Sequence, residues 1–584
     1  MSDDAPTPPA VTDPAGAPDR TASRTPSALD AIADAHVETM TRLDPFLATY
    51  LGVPGHDHEV TDLSPAGFEE RAAATRGTLE KIAATPDVDE VDVVTRAAML
   101  ERLGLDLELD EARISRAQVN NIGSNLQTQA IFDLMSSDTP EGAEAIAGRL
   151  EKMPEAMSAW AETLREAADR GYVSARRQLE LGAAQARGYA DPDGGYFATL
   201  AASVPSDSPA RERIDAGVRA AAQAHLDIAE VLKSLIPRAP EADAVGREAY
   251  ALVSRSSLGE TIDVDETYAW GIEELRRIIA EQEQVAARIN EHYGTGAGTD
   301  VDAARRALDA DPERTLVGTD ALQAWMQRTA DQAVADLAGS QFDIPEPLHR
   351  IECRIATTGS GGIYYTQPSE DLSRPGRMWW DVAPEDTEFH TWQETTTVYH
   401  EGVPGHHLQC GIQTMQAGAL NRWRALLCWV SGHGEGWALY AERLMEQLGY
   451  LDDDGDRLGM LDAQRMRAGR VVLDIGFHNG LPMPEGIVGS DGGEWTYERA
   501  QAFMAPNWGM SEAAQRFELN RYLGWPGQAP SYKLGQRAWE SLRDEQVAPG
   551  DEAALRAFHT RALDLGSLPL SVLREAVRRG GEAR

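Results

Sequence analysis

From about residue 27 to residue 340, apolar side chains recur at intervals of three and four, the spacing of a single buried face on an α-helix. This pattern predicts amphipathic helices over 28–51, 68–84, 143–170, 210–235 and 264–293. They are punctuated at Pro140, Gly171, Pro237-Arg238-Ala239-Pro240 and Gly294-Thr295-Gly296, where an amide donor is missing or the backbone is freed. After about Phe342 the texture changes. Three short runs, 350–356, 362–366 and 377–382, carry Ile, Tyr and Trp between Gly, Pro and Ser turns and predict a small β-sheet. Helical spacing resumes past Phe389 and is clearest over 420–430, 436–448, 457–477, 511–523 and 533–543. Residues 1–27 hold almost no large apolar side chain, so they are expected to form a disordered tail. The fold class is therefore mainly α, in three parts: the tail 1–27, a helical lobe 28–340, and a lobe 341–584. No internal repeat is visible.

Composition sharpens this picture. A chain of 584 residues exceeds what one compact core holds, which favours at least two lobes joined in one fold. Its 54 basic residues against 94 acidic ones leave a charge of −40, which argues against nucleic acid and anionic membrane as partners. Only four of the basic residues are lysines, and Lys533 is the only one after Lys233. Three widely spaced cysteines give no disulfide framework, and the N-terminal residues lack a positive and an apolar region in succession. No apolar stretch approaches the roughly 20 residues of a membrane span. The expected location is the cytoplasm.

The chemistry concentrates late in the chain. Six of 13 histidines lie between His390 and His478. A catalytic zinc needs three protein ligands and a fourth position for water. The helical His-Glu-x-x-His pattern supplies two imidazoles and a general base. Here His400-Glu401 is followed by Gly402-Val403-Pro404-Gly405 and then His406-His407, two residues longer. In an ideal helix a residue six positions on points elsewhere, and one seven positions on returns to the same face. Pro404 and Gly405 should break the helix and swing His406 back, so His406 is preferred as second ligand, with His407 its rival. Within Gly434-Glu435-Gly436-Trp437-Ala438-Leu439-Tyr440-Ala441-Glu442, Glu435 is the expected third ligand. Glu442, seven residues on, shares its face as a partner that orients an imidazole. His433 suits either part. The cofactor expected is one zinc ion on His400, His406 and Glu435, with Glu401 as general base.

The string from Tyr399 through Gln409 resembles the signature of the bacterial family known as domain of unknown function 885, which is similar to the gluzincin zinc peptidases. Ser373-Arg374-Pro375-Gly376, Gly434 through Tyr440, Asp474-Ile475-Gly476-Phe477-His478, Arg521-Tyr522 and Pro526 through Lys533 match it as well. The resemblance covers most of the chain beyond the tail. It implies a mostly helical protein with two lobes around a deep cleft and the small sheet near the active site, like gluzincin oligopeptidases and carboxypeptidases. The stretched His-Glu motif departs from the ordinary gluzincin pattern.

Peptide hydrolysis also needs a donor for the oxyanion, and Tyr532 and His478 are the candidates. The strand-like run with Tyr364 and Tyr365 suits pairing with an extended peptide. Arg374 and Arg521 suit a substrate carboxylate, and Lys533 suits it as a point charge. Each of these residues has a plain structural reading beside the functional one: a packing tyrosine, a core histidine, a solvated arginine or lysine. The expected function is a zinc metallopeptidase acting on short peptides. The alternatives are a zinc hydrolase of another amide or ester, and a catalytically silent binding protein of the same fold.

Overall fold

A computed structural model of the protein describes residues 24–356, 362–369, 372–383 and 386–582. It is mainly helical, as the apolar periodicity predicts. The runs 210–235 and 264–293 appear as helices Arg211–Leu235 and Val264–His292, and 457–477 as Asp454–Asn479. The run 28–51 is two helices, Ala28–Leu43 and Pro45–Tyr50. Asp44 accepts from the Leu47 amide and Pro45 opens the second helix, so the chain restarts there. Of the expected tail, residues 1–23 lie outside the described residues. Arg24 is ion-paired to Asp30, Asp89 and Asp92, and Ser27 caps the first helix.

All three expected strands form. Ile351–Ala356 runs parallel to Gly376–Asp381, which pairs antiparallel on its other side with Ile363–Thr366. Alternate residues of this sheet, Ile351, Cys353, Met378 and Trp380, pack on Leu322, Met326 and Ala330 of the helix Thr319–Leu337 and on Val398. Val398 belongs to the helix that carries His400, so the sheet holds that helix from one side. A further pair, Thr315–Val317 with Glu388–His390, was not foreseen because each strand has only three residues.

The run 420–430 is not an α-helix. Only Trp423–Leu427 is coiled, as a π-turn closed by the Cys428 amide on the Trp423 carbonyl. Asn421 accepts from the Arg424 amide and donates to Asp30, while Arg424 donates to the Leu565 carbonyl. These buried polar contacts fix the backbone away from the path that apolar spacing alone suggests.

The largest core cluster draws on residues from Ala33 to Val577, so helices from both expected lobes share it. A second cluster is built from the helices Pro140–Asp169, Arg176–Tyr189 and Arg211–Leu235 and the segments around them. His559 lies in the first, stacked on Phe342 and bonded to the Tyr440 hydroxyl at 2.8 Å. Burial, aided by Arg543, lowers its pKa to about 3. It is therefore neutral when folded and takes up a proton below pH ~6.5 only when unfolded. Its contribution to stability is present above that pH and is lost as the pH falls toward the folded value. Relative to His559→Gln, the wild type is expected to lose ~1.4 kcal/mol per pH unit below about 6.5. Urea unfolding of both proteins at pH 7 and pH 5 measures this, and a constant difference contradicts it.

Candidate metal centre

The His-Glu motif is split between two helices. The first, Thr391–Glu401, ends on the general-base candidate, and the second, His406–Met415, begins on the histidine. The link 402–405 includes a cis Val403–Pro404 peptide. Gly405 runs so close to the first helix that a Cβ there would lie 1.9 Å from the His400 carbonyl oxygen, so only glycine fits. The Trp437 indole donates to the Pro404 carbonyl at 2.8 Å and ties the link to the helix Ser431–Gln447.

That helix supplies the carboxylates. Glu435 and Glu442 are two turns apart on one face and hold His400 at both ring nitrogens. Glu442 accepts from Nδ1 at 2.7 Å, and a Glu435 oxygen lies 3.5 Å from Nε2. The same oxygen lies 3.5 Å from His406 Nε2. Thr396 donates to the second Glu442 oxygen at 3.0 Å and fixes that carboxylate. One ligand atom each from His400, His406 and Glu435 falls within 4.8 Å of the others. Donors about 2.0–2.1 Å from one zinc in a tetrahedral arrangement stand roughly 3.3–3.4 Å apart, so the 3.5 Å separations fit such an ion. In the protein alone, burial opposes charge on His400, but its bonds to Glu435 and Glu442 outweigh this and raise its pKa to about 10. Burial likewise opposes charge on Glu435, and the two histidines override it and hold the carboxyl well below its usual range.

His407, the rival ligand, turns the other way. Its Nε2 donates to the Leu348 carbonyl at 2.9 Å, and its Nδ1 accepts from the Tyr365 hydroxyl at 2.8 Å. Both nitrogens are used, and the ring braces the start of the His406 helix. His433 also faces away, with Nδ1 on the Leu568 amide and its ring against Trp539.

Glu401 is buried beside this cluster and makes no hydrogen bond among the described residues. Burial raises its pKa, while His406 and His400 pull it back. Tyr532 reaches the same place because two helices approach closely. A Cβ on Gly436 would lie 2.4 Å from the Gly535 carbonyl carbon, and this contact brings the helix Ser531–Gln546 against Ser431–Gln447. The Tyr532 hydroxyl has no hydrogen bond among the described residues. Burial raises its pKa, and the Glu435 charge adds to the shift.

The other expected site residues have structural posts. His478 is fully buried, with Nε2 on the Tyr522 carbonyl at 3.0 Å and its ring stacked on Tyr250. It lies about 16 Å along its helix from Arg467, which interacts electrostatically with Glu435 and Glu442. Lys533 points inward, bonded to Gln464 and Gln536 and ion-paired with Glu274 at 2.9 Å. Its ammonium joins three helices, and the side chain is 2% exposed. Arg374 closes its own turn on the Gln367 carbonyl, and Arg521 pairs with Glu518. Tyr364 stacks on Trp379 at the sheet surface, while Tyr365 points to His407. A cavity of about 560 Å³ bounded by Asp44, Phe46, Phe68 and Arg71 contains none of these groups.

Glu442 is expected to orient His400. Glu442→Gln should weaken zinc affinity about 10–100-fold with little change in fold, as competition with a chelating dye would read. Unchanged affinity would remove Glu442 from this role.

Sequence reasoning missed Arg467. It stands on the helix Asp454–Asn479, most of whose residues are buried. A charged residue in such a helix is itself a signal, because burial demands a partner.

Residues 45–577 match the family described as bacterial protein of unknown function (DUF885). No curated protein matches. Among solved structures, a "putative lipoprotein" from Colwellia psychrerythraea aligns over 95% of this chain and 99% of its own, with 22% identity and a TM-score of 0.79. A second protein of that description and of unknown function, from Shewanella oneidensis, aligns over 94% and 99% with 17% identity and a TM-score of 0.70. Likeness at this identity shows a shared fold.

Proposed function

The chain belongs to the DUF885 family of bacterial proteins, and we propose from its site that it is a zinc-dependent hydrolase of short peptides. The observation that carries this reading is the convergence of His400, His406 and Glu435, with Glu442 behind His400 and an unpartnered Glu401 beside them. Two imidazoles and one carboxylate are a catalytic zinc set and leave a position open. Zinc held there supplies a Lewis acid that polarises a carbonyl and acidifies water. Glu401 takes the proton from the attacking water and passes it to the leaving amine. Tyr532 donates its free hydroxyl to the oxyanion that develops on the scissile carbonyl. The strand Ile363–Thr366 is an edge of its sheet among the described residues, and Tyr365 links it to the His406 helix. An extended peptide added to that edge would lie along the centre.

The gluzincin likeness, with a deep cleft between lobes, is part of the same proposal. So is a cytoplasmic setting, in which the three buried free cysteines stay reduced. The lipoprotein names belong to the two structural relatives. The strong negative charge supports a small-molecule substrate over nucleic acid.

Elemental analysis of the purified protein, together with a short-peptide library, tests this function. About one zinc per chain and cleavage that a chelator abolishes are expected. A protein that takes up no zinc when it is supplied would leave the binding-protein alternative. Zinc without peptide cleavage would leave a hydrolase of another amide or ester.

A further inference from the structure

We propose that Arg467, backed by Arg470 and Arg521, receives a free carboxylate of the substrate, so that the substrates are short peptides or peptide-like amides ending in an unblocked α-carboxylate. This rests on the hydrolase reading above and names its substrate class.

Arg467 forms no ion pair or hydrogen bond among the described residues. Its Nε is buried without a partner, whereas Nη1 and Nη2 are not sealed off. A guanidinium carries five donors in a planar fork, and leaving buried ones unmet is unfavourable. Arginines elsewhere in this acidic chain are matched by carboxylates, as Arg305 is by Asp462 and Arg443 by Glu281, while the buried Arg149 and Arg424 bond to carbonyls. Near Tyr532, Arg470 and Arg521 share one oxygen of Glu518, at 2.8 and 2.9 Å. Arg467 and Arg470, one turn apart, both lie over the Tyr532 ring, 5.8 and 5.0 Å from its centroid.

This arginine cluster adjoins the metal centre. Glu442, Tyr532 and Glu435 act electrostatically on Arg467, and Arg467 acts on Glu401. None of those carboxylates comes within 4 Å of the guanidinium, so its fork remains open to an incoming anion. A carboxylate matches that fork with two parallel hydrogen bonds. Anchored there, the chain end brings a nearby amide to Glu401 and Tyr532, which favours cleavage close to the C-terminus over internal cleavage.

The test titrates the purified protein, by calorimetry, with a dipeptide isostere whose amide is replaced by a methylene-amine, once as the free acid and once as the primary amide. The acid should bind at least about tenfold tighter, the size of one charge-assisted hydrogen bond. Arg467→Gln should bring the ratio close to one, and Arg467→Lys should keep part of it. Circular dichroism checks the fold of each variant. Equal binding of acid and amide by the wild type, or binding of neither at millimolar concentration, overturns the inference without recourse to any variant. Cleavable peptides separate the two readings. Acid-selective binding without cleavage of any peptide leaves the carboxylate site and sinks the peptidase. Cleavage of free and amidated peptides alike, with equal affinity, does the reverse.

Discussion

Glu401→Gln should keep about one zinc per chain and lose about 10²–10⁴-fold in kcat on any peptide the wild type cleaves. The substitution preserves shape and removes only the ability to accept a proton. Glu401 is the last residue of its helix, is 6% exposed, and has no hydrogen-bond partner that the change would strand. It is not among the three converging ligands, so metal retention is expected. Burial lifts its pKa above the ordinary carboxylate range, against the pull of His406 and His400. A base must be deprotonated to act, so activity should fall as the pH drops through that raised value. Elemental analysis and initial rates across pH check both statements. A glutamine variant of near wild-type rate would exclude Glu401 as the base. Loss of zinc in the variant would make it a ligand instead.

The second large effect separates adjacent histidines. His406→Ala should abolish stoichiometric zinc binding and leave the fold intact, because among the described residues its ring meets only Glu435 and His400, at the centre. His407→Ala should keep zinc and lose roughly 2–4 kcal/mol of stability. That ring is fully buried, and its removal opens a cavity and strands the Leu348 carbonyl and the Tyr365 hydroxyl. Zinc analysis and urea unfolding of the pair read the two quantities independently. Zinc lost from His407→Ala and kept in His406→Ala would reverse the ligand assignment.

The sequence by itself determined the helical class, the three-stranded sheet and the group of residues that meet at the centre. Each of these is written in local terms. Apolar period sets a helix face, two-residue alternation sets a strand face, and Pro404 with Gly405 marks the break that lets His406 return beside His400. The seven-residue step from Glu435 to Glu442 is local too, and it put both on one helix face before any partner was known.

Only the tertiary structure decided which way the remaining polar side chains point. Lys533 is conspicuous for its rarity, yet Glu274, Gln464 and Gln536 draw it into the core. His478 sits in a matching string, yet the Tyr522 carbonyl and the Tyr250 ring claim it. Arg467 is brought to the Tyr532 ring, and within electrostatic reach of Glu435, only by the packing of helices far apart in the chain. Periodicity states which face of an element is buried. It does not state what the facing element brings, because that depends on contacts between residues far apart in the chain, and buried polar groups take their roles from those contacts.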